Sequence, residues 1–210
     1  RPNIGIRGAN SDRSKKVTLM EDGILFGPAP YSAPAAYYFP LLTRIVGLEV
    51  FKGPAAILYG PQTIGGAINF FTRAIPDGHA AGADLGYGSS LVGGTTDHYH
   101  KVHGWYGYSA PQWGALVEGV HLMTDGFKTL DVGGDTGFDK QEFMLKLRGN
   151  TDPNDDDLHT VELKLGFSRE RSNETYLGLT DADFSDNPHR RYAASQLARM
   201  DLLRSQAELS

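Results

Sequence analysis

Two stretches of strict alternation constrain the fold more than any other feature of this chain. In Lys140–Gly149, Phe143, Leu145 and Leu147 fall on one side, and Glu142, Met144, Lys146 and Arg148 on the other. In Thr160–Arg169, Val161, Leu163, Leu165 and Phe167 share a face opposite Thr160, Glu162, Lys164 and Ser168. A period of two is that of a β-strand, so each stretch has one apolar and one polar face. Val102, Tyr106 and Tyr108 likewise oppose Lys101 and His103, whereas Trp113–Met123 alternates poorly, with Glu118 beside Leu116 and Val120.

Extended along the chain, the pattern predicts strands at roughly 80–91, 98–109, 113–124, 139–150, 159–171 and 198–210. Leu197–Leu209 also passes as a helix. The connections alternate in length: Ser109–Gln112 and Asn150–Leu158 are short, Asp125–Phe138 and Ser172–Gln196 long. Short turns at one end and long loops at the other are the layout of an outer-membrane β-barrel, and Tyr106, Tyr108 and Trp113 flank one short turn, where an interfacial aromatic girdle would sit. A soluble β-sandwich also alternates, so the second half alone leaves both architectures open.

The first half, to about Asp77, has another character, with Gly, Pro and short apolar runs. Val17–Met20, Leu48–Phe51 and Ala67–Thr72 read as short strands, and Glu21-Asp22-Gly23 as the turn of a hairpin leading into Ile24–Phe26. Pro54 and the following Ala-Ala-Ile-Leu-Tyr suit one or two helical turns that Gly60 would end. The reading is therefore a mixed α/β module over residues 1–77, followed by antiparallel strands over 78–210, transmembrane if they belong to a barrel.

Composition agrees. There are 26 Gly, 10 Tyr and 10 Phe in 210 residues, as tight turns between strands require. A net charge of −5, with only Arg13, Lys15 and Lys16 as a local basic group, argues against a nucleic-acid partner. The absence of Cys excludes disulfide scaffolds and Cys-based zinc sites. No stretch approaches the ~20 apolar residues of a membrane helix, but membrane strands need only about 9–11. Both ends are expected to be cut rather than natural: the chain begins at Arg1 and runs almost at once into the β-like Ile4-Gly5-Ile6-Arg7-Gly8.

Ile4-Gly5-Ile6-Arg7-Gly8, Met20-Glu21-Asp22-Gly23, Glu49–Gly60 and Gly65-Gly66-Ala67-Ile68-Asn69 follow one another in an order and spacing that resemble the plug domain of TonB-dependent outer-membrane receptors. Within that family, Ala29-Pro30-Tyr31-Ser32-Ala33-Pro34, Tyr59-Gly60-Pro61-Gln62 and Phe71-Thr72-Arg73-Ala74-Ile75-Pro76 are most similar to the ferric dicitrate receptors. The close match covers about Ile4 to Pro76. The resemblance implies an N-terminally truncated plug followed by the start of a C-terminally truncated barrel. About six strands would form an incomplete barrel, since barrels with a plugged lumen have about 22. It implies active uptake of a ferric chelate, either ferric citrate or a siderophore, across the outer membrane of a Gram-negative bacterium. TonB would act through a segment upstream of this chain, outer-membrane lipid would surround the barrel, and no cofactor is implied beyond iron carried as chelated ligand. Cobalamin or a sugar is the alternative cargo; a passive porin or adhesion barrel, or a soluble β-rich enzyme, is the alternative class.

In such receptors the loops between plug strands rise toward the ligand. The resemblance places Arg7, Asn10, Ser11, Arg13 and Ser14 on one apex, and Tyr31, Ser32, Ala33 and Tyr37 on another. Arginine suits an anionic iron–citrate chelate because its guanidinium pairs with carboxylates. Ala33 stands where ferric dicitrate receptors tend to carry an amide, and it donates no hydrogen bond. Glu49 and Arg73 read as forming a plug–barrel or intraplug ion pair in preference to a ligand contact. His98, His100 and His103 read as lumen or loop-edge histidines or as metal ligands, and Asp152–Asp157 as a solvated turn, lacking the Gly and distal Glu of a calcium loop. No nucleophile elbow or zinc-protease signature appears, so no catalytic residue is assigned.

Overall fold

The computed structural model describes residues 3–6, 8, 14–26, 38–60, 63–151, 159–173 and 177–210. The chain divides into two units, Arg1–Ala74 and Ile75–Ser210.

The first unit is built on a four-stranded sheet in the order β2-β1-β4-β3, with β1 at Val17–Glu21, β2 at Ile24–Leu25, β3 at Ile45–Phe51 and β4 at Gly66–Thr72. The hairpin expected around Asp22-Gly23 is present, pairing Met20 with Leu25 and Glu21 with Ile24. Asp22 and Gly23 both have positive φ (50° and 87°), as a two-residue turn of primed type requires. β1 runs parallel to β4, and β3 antiparallel to it. Every residue of β1 is buried, and all of β4 but Phe71, which explains why these two strands read as near-continuous apolar runs.

Gly53–Tyr59 forms the expected short helix as a 3-10 helix, with Pro54 in its first turn and Gly60 at φ 116° ending it. It seats Ala56 against Met20 and Ala67 and brings Tyr59 onto Phe51, ring centroids 4.3 Å apart. Gly66 admits no side chain: φ is 140°, and a Cβ would lie 2.5 Å from the Phe51 carbonyl oxygen.

The second unit is a six-stranded antiparallel meander in the order β10-β9-β8-β7-β6-β5. Its strands are β5 (His79–Val92), β6 (Thr95–Ser109), β7 (Trp113–Thr124), β8 (Phe138–Asn150), β9 (Thr160–Ser172) and β10 (Met200–Leu209). Each expected strand is found, and the ambiguous last segment is a strand that pairs with β9 from Met200 to Leu209. Pairing decides this: as a strand it matches its alternation to that of β9, with Arg204, Gln206 and Glu208 on the half-buried side and Leu203 and Leu209 outside.

Phe143, Leu147, Leu165 and Phe167 are exposed on the outer face. Lys140, Glu142, Lys146, Lys164, Ser168 and Glu170 are buried on the inner one. This is the reverse of a soluble domain and is the polarity of a membrane barrel wall. The poor alternation of β7 has a local cause: Leu116 points inward with Glu118 and Val120, and Leu116 packs with Met144 against Ile75. Ile75 and Pro76 thus group with the strands, Pro76 lying against Gly107, and the division falls at Ala74/Ile75, earlier than Asp77.

Candidate functional site

Of the nine candidate ligand positions, eight (Arg7, Asn10, Ser11, Arg13, Tyr31, Ser32, Ala33 and Tyr37) lie outside the described residues. The ninth, Ser14, is fully buried with φ 57°. Its Oγ accepts a hydrogen bond from the Ile4 backbone N–H at 3.0 Å, so the hydroxyl anchors the N-terminal segment where it turns toward β1.

The structure shows what holds the bases of these loops. Residues 27–37 connect Phe26 to Tyr38, and those two rings meet edge to face with centroids 5.7 Å apart. Phe39 and Phe70 complete the cluster, at 5.6 and 5.8 Å from Phe26. Beneath it lies a buried polar clamp. Arg44 donates from Nη1 to Glu21 Oε1 at 3.0 Å and from Nη2 to Glu21 Oε2 at 2.7 Å. Arg44 Nη2 also donates to the Tyr38 hydroxyl at 2.8 Å, and that hydroxyl donates to Glu21 Oε2 at 3.3 Å.

A buried carboxylate is tolerated only when its lone pairs are met, and the two-pronged guanidinium meets both oxygens. The neighbouring turn is tied in the same way: Thr72 N–H donates to Asp22 Oδ1 at 2.8 Å, and Gly23 N–H to Asn69 Oδ1 at 2.8 Å. Glu49, expected in a plug–barrel or intraplug ion pair, is exposed on β3 opposite Asn69.

In the second unit the long connections form one assembly. The loop between β7 and β8 meets the loop between β9 and β10 in a short parallel bridge, Thr129 with Arg190. Thr129 N–H donates to the His189 carbonyl at 2.8 Å, and Arg191 N–H to the Thr129 carbonyl at 2.9 Å. Arg190 grips Asp131 at 2.9 and 2.6 Å, and Asp131 N–H donates to Gln196 Oε1 at 2.9 Å. The hydrogen bond from Arg190, reinforced by its charge, holds the Asp131 carboxyl below the usual range, and Asp131 holds Arg190 up. Arg191 is buried and donates to the carbonyls of Asn173 and Ala198, closing the second loop at its neck. His189 lies on Gly93 of the β5–β6 turn, where any Cβ would collide with its ring.

The inner face of the strands carries paired charges. His103 Nε2 lies 2.8 Å from Glu118 Oε1. Lys140 bridges Glu142 and Glu170 at 3.3 and 3.6 Å, and Lys146–Glu162 and Lys164–Glu208 each approach to 3.8 Å. Of the three clustered histidines, His103 thus faces inward. His98 faces outward, its Nδ1 2.9 Å from the Tyr87 hydroxyl.

Residues 1–67 match the family described as TonB-dependent Receptor Plug Domain. Over those residues the chain is the plug domain of a TonB-dependent receptor. As such it is an outer-membrane protein of a Gram-negative bacterium. Its fold is that of the ferric citrate transporter FecA in the unliganded form, with a TM-score of 0.81 over 99% of this chain and 30% of that one, at 24% identity. The siderophore receptor PirA from Pseudomonas aeruginosa superposes with a TM-score of 0.60 over 81% of this chain and 28% of that one, at 19% identity. In sequence, the vitamin B12 transporter BtuB of Vibrio cholerae is 36% identical over 84 residues, which is 40% of this chain and 13% of that protein. The receptor chain thus spans under a third of the length of these relatives.

Sequence reasoning missed the Glu21–Arg44–Tyr38 clamp and the bridging of the outer loops. A lone Glu at the end of the apolar run Val17–Met20 was the available signal for the first. For the second, Thr129 and Arg190 are far apart in sequence and carry no motif.

Proposed function

We propose that this receptor takes up a ferric chelate, ferric citrate or a siderophore, into the periplasm by a TonB-driven movement of its plug. The ligand would meet the plug apices at Arg7, Asn10, Ser11 and Arg13, and at Tyr31, Ser32, Ala33 and Tyr37, while the buried Ser14 serves as an anchor and not as a ligand contact. Iron enters as cargo, held by its chelator. The observation that carries the reading is the likeness of both units to the ferric citrate transporter, across 99% of the chain. The siderophore receptor supports it. The clamp beneath Tyr38 suits the role, because a loop with a rigid base presents its ligand groups with less ordering cost.

Cobalamin is the second reading, favoured by the identity to the vitamin B12 transporter over 84 residues. Its matched region covers only 13% of that protein, so the ligand-binding outer loops are largely outside the comparison. Titration calorimetry of the full-length receptor with ferric citrate, a panel of ferric siderophores and cyanocobalamin separates the two. The proposal expects binding by a ferric chelate; binding by cyanocobalamin alone overturns it.

A further inference from the structure

The outward face of β7–β10 changes character along its length. Toward the short turns it is apolar, with Phe143 paired to Phe167, Leu145 to Leu165 and Leu147 to Leu163. Toward the long loops the next two ladder rows are charged and polar: Gln141 pairs with Arg169, and Asp139 with Arg171, which in turn pairs with Asp201. His121 joins them from β7, opposite Gln141. All of these side chains lie on the same side as the apolar rows, because strand residues two apart share a face.

The acidic groups here are already engaged. Asp139 meets His121 Nε2 at 3.2 Å and accepts from Gln141 Nε2 at 3.1 Å. Asp201 accepts from Arg171 Nε at 3.0 Å and lies 3.3 Å from Arg199 Nε. Arg171 makes that bond through Nε, about half of its side chain is exposed (53%), and a guanidinium has further N–H donors. Arg169 is exposed one row below. Three arginines thus stand against two carboxylates, directly beside a membrane-facing apolar surface.

We propose that this patch binds the phosphate of a phosphorylated lipid headgroup at the outer end of the barrel wall, with the lipid's acyl chains lying along the Phe143–Phe167 and Leu145–Leu165 rows. The end that carries the long loops is the outer one. Two features select a lipid over a free anion. The basic groups face the membrane rather than the lumen, and the apolar rows of β8 and β9 lie directly beneath them. Guanidinium forks suit phosphate oxygens, and β9 holds Arg169 and Arg171 in register, with Arg199 just ahead of β10.

The test is native mass spectrometry of the full-length receptor with added diphosphorylated lipid A, its dephosphorylated form, phosphatidylcholine and inorganic phosphate. Wild type is expected to retain the diphosphorylated lipid in preference to the other two lipids, with inorganic phosphate failing to displace it. Basic residues near an anionic lipid surface contribute a factor of about five each, so Arg169→Gln with Arg171→Gln should weaken retention by about 25-fold. The paired Lys variants should keep most of it. The single Gln variants, each expected to lose about fivefold, carry the test if the double variant fails to insert. Equal retention by wild type and the Gln variants overturns the proposal, as does equal retention of the dephosphorylated lipid or displacement by inorganic phosphate.

Discussion

Arg44 holds Glu21 through two guanidinium nitrogens, at 3.0 and 2.7 Å, with both side chains almost wholly buried. The pair ties the end of β1 to the segment that leads from Tyr38 into β3. Arg44 also donates to the hydroxyl of Tyr38, the residue that follows the 27–37 segment proposed to meet the ligand.

Removing one partner should cost far more than removing both. Arg44→Met leaves a buried, uncompensated carboxylate, at about 3–5 kcal/mol. Glu21→Gln with Arg44→Met should recover a large part of that. Hydrogen exchange of β1 and β4 amides in the full-length receptor reads both effects.

Tyr38→Phe keeps the ring in its aromatic cluster and deletes only the hydroxyl that accepts from Arg44 and donates to Glu21. A loss of about 1–2 kcal/mol in local stability is expected, since hydrogen bonds to charged groups are worth roughly that. Ligand affinity should fall several-fold through a looser loop base, while the barrel's resistance to heat stays unchanged. Unaltered affinity would separate the clamp from ligand binding.

The outer-loop bridge should depend on acid. The folded Asp131 carboxyl lies below its ordinary value, so its contribution is complete above that value and fades as pH falls through the lowered one. Spin labels at Val132 and Ala194 should report a fixed distance at pH 5 and a broadened one only below about pH 4, the ordinary carboxylate range. Asp131→Asn should be broad throughout and indifferent to pH.

The two faces of the barrel wall should respond oppositely to charge. Leu165→Arg places a cation among the membrane-facing apolar rows and is expected to cost about 2–4 kcal/mol of barrel stability. Its neighbour Lys164 already sits buried on the inner face near Glu208, where the charge is matched. Urea titration of the receptor refolded into vesicles measures the difference.

Much of the fold is legible in the sequence. Period-two alternation located β8 and β9 almost to the residue, because a strand with one face in lipid and one in a polar interior has to alternate. β7 read poorly because Ile75 packs on its inner face and makes Leu116 apolar there. Leu197–Leu209 stayed ambiguous because leucines with interspersed charges satisfy both periods, and only pairing with β9 separates them. The short plug strands were visible through Asp22-Gly23 and Pro54, whose turn chemistry is local. The Glu21–Arg44 and Asp131–Arg190 contacts join distant segments, and no local pattern marks them.

The most direct test of the central claim is accumulation of radioiron by cells expressing the full-length receptor, with TonB present and with TonB deleted. Uptake from ferric citrate or a ferric siderophore that appears only when both receptor and TonB are present is the predicted result. Uptake that persists without TonB, or TonB-dependent transport of cobalamin with no iron uptake, would contradict it.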